Sequence, residues 1–231
     1  MKILSISDIH SEKNENFFEY LKNNEENIDL ILINGDLTDF GPLEFASDFL
    51  NKISDLGFDV FAVPGNCDPN GICNVITDTN AVCLHNQIIA YGDVVIFGFG
   101  GSNETPFDTP GEFKDPHIYD AIKELYAEYD FMANDKIPKV KILLTHAPPF
   151  DTKADKIPDG SHVGSKALRK AIEEFKPDIN LCGHIHEGRS IDKIGDTIVV
   201  NPGMLKENYG CLIDIDEDSL DYDVEIISFI E

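Results

Sequence analysis

Apolar and polar positions fall into blocks whose period changes several times along the chain. Lys2 to Ser7 is a short β-prone run closed by Asp8. Asp29 to Asn34 and Phe58 to Val63 are dense apolar runs of the kind found in strands buried on both faces. Between them, Phe17 to Glu25 has helix-compatible spacing. Pro42 to Leu56 sets Phe45, Phe49, Leu50 and Ile53 on one helical face, with Gly57 as terminator. Strand, helix, strand, helix, strand, with polar residues directly after each strand, predicts a βαβ sheet whose site lies at the carboxyl ends of the strands.

The middle of the chain changes character. Val82 to Leu84, Gln87 to Tyr91 and Val94 to Phe99 read as short strands, followed by a turn-rich loop from Gly100 to Pro106. Pro116 to Met132 places Ile118, Ala121, Ile122, Leu125 and Tyr129 on one face of a helix. Lys141 to Leu144 is a strand leading to His146. Val163 to Phe175 reads as a helix opened by His162, and Ile179 to Cys182 as a further strand. Three β segments, Ile191 to Val200, Cys211 to Asp214 and Val224 to Phe229, close the chain, with the acidic stretch Asp214 to Asp223 expected as a solvated turn. No repeat or linker interrupts the pattern, so residues 1–231 are expected to form a single domain.

Short segments at the expected strand ends carry the chemistry. Asp8-Ile9-His10, Gly35-Asp36, Gly65-Asn66-Cys67-Asp68, Thr145-His146 and Gly183-His184-Ile185-His186 supply two carboxylates, an amide oxygen and four imidazoles. On an extended strand, an i, i+2 spacing puts two side chains on one face roughly 7 Å apart, so Asp8 and His10 can converge, as can His184 and His186. Each segment alone would read as a turn. In this order, after successive strands, they point to a metal site too large for one ion, and the mixed N/O donors suit Mn, Fe, Zn or Ni. A pair of such ions is suited to phosphate ester hydrolysis.

The order Asp-x-His, Gly-Asp-x-x-Asp, Gly-Asn-x-Asp, Thr-His and Gly-His-x-His, continuing into Asn201-Pro202-Gly203, resembles the calcineurin-like metallophosphoesterase superfamily. The resemblance implies an α/β fold: a four-layer α-β-β-α sandwich of two mixed sheets flanked by helices. It implies that Asp8, His10, Asp36 and His186 hold one divalent ion and that Asp36, Asn66, His146 and His184 hold the other, with Asp36 as the bridge and Mn the favoured metal. A hydroxide between the ions would then attack phosphorus in line. Many members have histidine after Gly-Asn, where it protonates the leaving oxygen. Here the residue is Cys67, a far weaker acid near neutral pH. That departure favours a phosphodiesterase over a phosphomonoesterase or nucleotidase. A non-catalytic interaction scaffold of the same fold is a further alternative, against which the complete donor set argues. Asp39 and Asp68 are candidates for orienting imidazoles or water. Asn103 and His162, with Asn66, are candidates for contacting substrate, and His85 and His117 are expected at the surface.

Composition narrows the partners. With 18 basic against 43 acidic residues the net charge is −25, which disfavours long nucleic acid and anionic membranes as partners and leaves a small phosphate ester. A dinuclear cation centre can reverse that potential locally. The five cysteines form no C-x-x-C pair, there is no early apolar leader, and no apolar run approaches the roughly 20 residues of a membrane span. A cytoplasmic protein is expected; its oligomeric state is left open.

Overall fold

The computed structural model describes residues 1–132, 140–216 and 218–230. The first half of the chain gives β1 (Lys2–Ile6), α1 (Glu15–Asn23), β2 (Leu30–Ile33), α2 (Leu43–Ser54), β3 (Asp59–Ala62), α3 (Ile72–Thr77) and β4 (Val82–Cys83). There follow β5 (Gln87–Tyr91), β6 (Val94–Phe99), the small pair β7 (Ser102–Asn103) and β8 (Glu112–Phe113), α4 (Asp115–Met132) and β9 (Val140–Thr145). The last part supplies α5 (Lys166–Phe175), β10 (Ile179–Leu181), β11 (Ser190–Ile194), β12 (Thr197–Asn201), β13 (Tyr209–Ile215) and β14 (Tyr222–Ser228).

Among the described residues, two six-stranded mixed sheets form, in the orders β14-β13-β1-β2-β3-β4 and β11-β12-β10-β9-β6-β5. In the first, β1 to β4 run parallel while β13 joins β1 antiparallel. In the second, β12, β10, β9 and β6 are parallel, with β11 and β5 as antiparallel edges.

Period-2 alternation sends each strand's apolar side chains into two different cores. Ile3, Leu30 and Leu32 meet Ile96, Ile142 and Leu144 between the sheets. Leu4, Ile6, Ile31 and Ile33 face Phe17, Phe49, Leu50 and Ile53 of α1 and α2. On the far side, Val95, Phe97 and Leu143 face Ile118, Ile122, Leu168 and Ile172 of α4 and α5. Each sheet is thus covered on both faces, which is why central strands such as β2 (Leu-Ile-Leu-Ile) are apolar at successive positions. The result is the expected four-layer α-β-β-α sandwich.

Four local expectations change. Helix α5 starts at Lys166, not Val163, because the Ser165 hydroxyl caps it by accepting from Leu168 N–H at 3.0 Å. His162 therefore lies in an extended bridge with Lys156, ahead of the helix. Ile191 to Val200 is a hairpin of β11 and β12 turned at Gly195, whose φ of +59° suits glycine. Helix α3 has six residues, too few to show a period, and buries Ile72 and Ile76. In the acidic stretch after β13, Asp216 caps its own turn by accepting from Asp218 and Ser219 N–H; Glu217 lies outside the described residues.

The topology fixes the site. The loops after β1, β2 and β3 leave the carboxyl edge of the first sheet, and those after β9 and β10 leave the matching edge of the second. The Asn34 amide ties the two edges together, accepting from the Ser5 hydroxyl at 2.9 Å and donating to the Cys182 carbonyl at 2.9 Å.

Candidate metal centre

Strand ends deliver the donors, and tight backbone aims them. Asp8, His10, Asp36 and His184 all have left-handed backbone, with φ of 55°, 48°, 50° and 67°. Such a conformation costs a residue with a side chain about 1–3 kcal/mol and persists where the surroundings enforce it. Glycines make room beside them: a Cβ on Gly65 would overlap the Asp36 carboxylate, and one on Gly183 would overlap Ser7 Oγ and approach Asp8. Substitution at either glycine would push a carboxylate off the site.

The donor atoms converge. His10 Nε2 lies 3.1 Å from His186 Nε2 and 3.7 Å from Asp8 Oδ1, and His186 Nε2 lies 3.5 Å from the same Asp8 oxygen. Two donors on one ion with bonds of about 2.1 Å sit roughly 3–3.5 Å apart, so these spacings match a shared cation. Asp36 Oδ2 is 3.6 Å from His10 Nε2 and 3.3 Å from His146 Nε2, within reach of both halves of the cluster. Asp8, Asp36 and His146 form a second such group, while Cys67 Sγ joins His10 and Asp36 in a third. His184 stands beside His146 with ring centroids 5.1 Å apart, and its N–H donates to the Asp8 carboxylate at 3.2–3.3 Å.

Hydrogen bonding shows what the cluster lacks. His146 Nδ1 is 2.7 Å from the Asn34 carbonyl, which can only accept, so that nitrogen carries the proton. In the neutral ring Nε2 then presents a lone pair, yet it faces Asn66 Oδ1 at 2.9 Å and Asp36 Oδ2 at 3.3 Å. Three acceptors pointing at one another are reconciled either by a proton on Nε2 or by a metal cation between them. The carboxylates agree, because Asp8 and Asp36 are 1% and 2% exposed and their cationic neighbours among the described residues are imidazoles. Burial alone would raise both acids, but hydrogen bonds from His10 and His186 hold Asp8, and the charge of His146 holds Asp36, below the usual carboxylate range. His146 resists burial and is raised to about 9 by Asp36, whereas burial and the His146 charge push His184 down to about 4. One imidazolium thus supplies part of the positive charge that divalent ions would supply in full. The donor set fits two such ions.

The other candidates divide. Asp68 is buried, and its carboxylate accepts from the N–H groups of Leu37, Thr38 and Gly65 and from the Thr38 hydroxyl, locking the loop after β2 to the loop after β3. Burial and the nearby Asp36 charge raise it to about 6. Its hydrogen-bond partners among the described residues are backbone amides and a hydroxyl. Asp39 is exposed, and its backbone N–H donates to the Ser11 hydroxyl. Cys67 is half-buried, with its N–H bonded to Asp36 Oδ1 at 2.8 Å; burial and Asp36 push its thiol up. His162 Nδ1 is 2.7 Å from the buried Asp155 carboxylate, and Nε2 lies 3.8 Å from Asp151. That pairing places it in the fabric of the 150–165 loop rather than among the donors. Asn103 lies on the wall of a cavity beside His184 and His186. His85, expected at the surface, is half-buried and accepts from Gly100 N–H at 3.0 Å.

Three supporting residues had no sequence signal. The Asn34 carbonyl sets the His146 tautomer. Thr109 Oγ1 accepts from Asn66 Nδ2 at 2.9 Å, turning the amide oxygen inward, and itself donates to Glu112 Oε1 at 2.8 Å. Glu112 also accepts from Thr105 and Thr109 N–H. Although burial alone would raise it, these bonds pull Glu112 down to about 2. Glu112→Gln is expected to weaken binding at the Asn66 side of the centre by the 10–100-fold typical of a lost supporting partner, measured by metal titration. Folding lowers this pKa from about 4.3, so the carboxylate stabilises the fold above pH about 4.3 and loses that contribution as pH falls toward about 2. The stability gap between the parent and Glu112→Gln should therefore close on acidification, as thermal melts at pH 7 and near pH 3 would show.

The comparisons with known proteins agree with this geometry. A protein of Methanocaldococcus jannaschii, itself described as uncharacterized, is 38% identical over 208 residues, covering 87% of this chain and 88% of its own. The crystal structure of TT1561 of Thermus thermophilus superposes with a TM-score of 0.72 at 18% identity, covering 97% of each chain. Purple acid phosphatase PPD1 from yellow lupin seeds shares the fold with a TM-score of 0.54 at 14% identity over 99% of this chain and 53% of its own. The description of the calcineurin-like phosphoesterase family matches residues 1–188. Family, fold and convergent donors coincide: this chain is a member of the calcineurin-like phosphoesterases, a family that generally binds two divalent metals.

Proposed function

We propose that the chain, acting as one domain over residues 1–231, is a phosphodiesterase that hydrolyses a small phosphodiester at a dinuclear centre. The observation that carries this reading is the position of Asp36, whose Oδ2 is within 3.6 Å of His10 Nε2 and 3.3 Å of His146 Nε2. Asp8, His10, Asp36 and His186 would hold one ion, and Asp36, Asn66, His146 and His184 the other. The ions, Mn²⁺ by preference, would supply Lewis acidity and an activated water. The chain's part is to place and insulate them. Asn34 fixes the His146 tautomer, Thr109 turns the Asn66 oxygen inward, and Asp68 keeps the two ligand loops in register. Cys67, beside Asp36 and His10, stands where a leaving oxygen would need a proton and is a poor donor of one. That favours diesters with stable leaving groups over monoester dianions, and it supports the phosphodiesterase over the phosphomonoesterase or nucleotidase reading.

Among the described residues no helix is long and apolar enough to cross a membrane. The cysteines are unpaired, which supports a reducing, cytoplasmic setting. The test is a chromogenic phosphodiester compared with its monoester and with cyclic nucleotides, before and after chelation. Turnover of the diester should vanish with the metal and return best with Mn²⁺. Undiminished turnover in a verified metal-free sample would overturn the reading, and preference for the monoester would turn it into a phosphomonoesterase.

A further inference from the structure

A cavity of about 720 Å³ opens directly beside His184 and His186, and nothing in the dinuclear chemistry requires its character. Its walls are Pro106 and Phe107 from the loop before β8, Ile157, Pro158 and Val163 from the loop before α5, and Ile185 between the two histidines. The volume lies within the roughly 300–1,000 Å³ of small-molecule sites. Phe107 is 81% exposed, although its neighbours are fixed. Thr105 and Thr109 are clamped by Glu112, and Asn103 Nδ2 donates to the Val163 carbonyl at 3.1 Å, tying the two walls together. Phe107 is thus an exposed phenyl ring on a secured loop at the cavity wall, with no aromatic partner among the described residues.

Charge narrows what enters. The carboxylate side chains lining the cavity are Glu104 and Glu187, and among the described residues no lysine or arginine lines it. A second phosphate or a carboxylate reaching past the ions toward Glu104 and Glu187 would meet repulsion there. The same wall gains from covering carbon, at about 25 cal/mol per Å² removed from water.

We propose that this cavity is the alcohol subsite, taking an apolar, uncharged alkyl or aryl group of a phosphodiester monoanion, with Phe107 and Val163 as its specificity-determining residues. The proposal rests on the phosphodiesterase reading for the position of the phosphate at the ions. It goes further in naming the substrate class: phosphodiesters of apolar alcohols, rather than nucleotides bearing further phosphates.

Alkyl(methyl)phosphinate monoanions, which resemble such diesters in shape and charge but have no P–O–C bond to cleave, provide the probe. The chain contains no tryptophan, so Phe107→Trp would install a single reporter on the cavity wall. With two Mn²⁺ per chain, affinity read from its fluorescence should rise about fourfold per methylene over the series from methyl to butyl, the value of one buried methylene. A chain ending in carboxylate should lose that gain. The same series should inhibit the parent enzyme competitively with the same gradient, which Phe107→Ala or Val163→Ser should flatten. Affinity independent of chain length, or equal affinity for the carboxylate-ended probe, would overturn the proposal. A loaded enzyme that turns over no phosphodiester would overturn the parent reading instead, and the fluorescence series would still decide the cavity.

Discussion

Asp36→Ala is expected to lose both ions and reduce hydrolysis to the uncatalysed background. Asp36 Oδ2 lies between His10 Nε2 at 3.6 Å and His146 Nε2 at 3.3 Å, so the same carboxylate faces both halves of the donor set. Removing it takes one ligand from each ion and the negative charge that keeps two cations a few ångströms apart tolerable. His10→Ala should be milder, since it removes one donor from one ion and leaves Asp8, Asp36 and His186 in place. Asp36→Asn keeps the shape and an acceptor for the Cys67 N–H, now 2.8 Å from Asp36 Oδ1, while removing the charge. It should fall with Asp36→Ala in metal content. Melting in chelator separates loss of metal from loss of fold. In the metal-free protein Asp36 pairs with the His146 imidazolium, so both metal-free variants should melt cooperatively but below the metal-free parent, by the roughly 3–5 kcal/mol typical of a broken buried pair. Elemental analysis decides the assignment: two ions per chain in Asp36→Ala would show that Asp36 does not bridge.

Much of this was legible in the residues themselves. Strand β2 is apolar throughout, and β3 is apolar after Asp59, because each sheet is covered on both faces, and a run such as Leu30–Ile33 has few other places to go. The donors were legible because they recur directly after such runs, where a parallel sheet presents its loops. What remained hidden depends on contacts between segments far apart in sequence. Asn34 reads as the last residue of a strand, yet its carbonyl sets the protonation of His146, 112 residues away. Thr109 and Glu112 sit in a loop without periodicity, and their role exists only because Asn66 folds against them. His162 departs from expectation for a related reason: Ser165 is the better cap, so the helix starts three residues later and the imidazole turns to Asp155 instead of leading a helix toward substrate. Asp39 and Asp68 share the motif's spacing, yet backbone amides hold the buried Asp68 carboxylate while Asp39 is exposed. Motif spacing reports which residues share a loop. The path of that loop is set by partners elsewhere.

Cys67→His is expected to change how hydrolysis depends on the leaving group more than it changes metal content. The residue follows Asn66, its N–H is anchored on Asp36, and its Sγ is within 4.8 Å of donor atoms of both His10 and Asp36, so a side chain here lies beside the proposed metal centre. An alkoxide leaving group needs a proton as the P–O bond breaks, whereas an aryloxide leaves without one. A thiol, with an ordinary pKa of about 8.5, donates poorly near pH 7, while an imidazolium of pKa about 6.5 is well matched. The parent should therefore show a steep dependence of log rate on leaving-group pKa, cleaving aryl esters far faster than alkyl ones. In Cys67→His the slope should flatten, and alkyl esters and monoesters should gain up to the 10²–10⁴-fold typical of a placed general acid, less any misfit of the larger ring. Cys67→Ser, similar in size and without an imidazole, should retain the steep slope and so separates proton donation from a change in packing. The measurement is the slope for the three proteins at matched metal occupancy. Equal slopes in all three would mean that residue 67 does not reach the leaving oxygen, and that a water molecule or another group already delivers the proton.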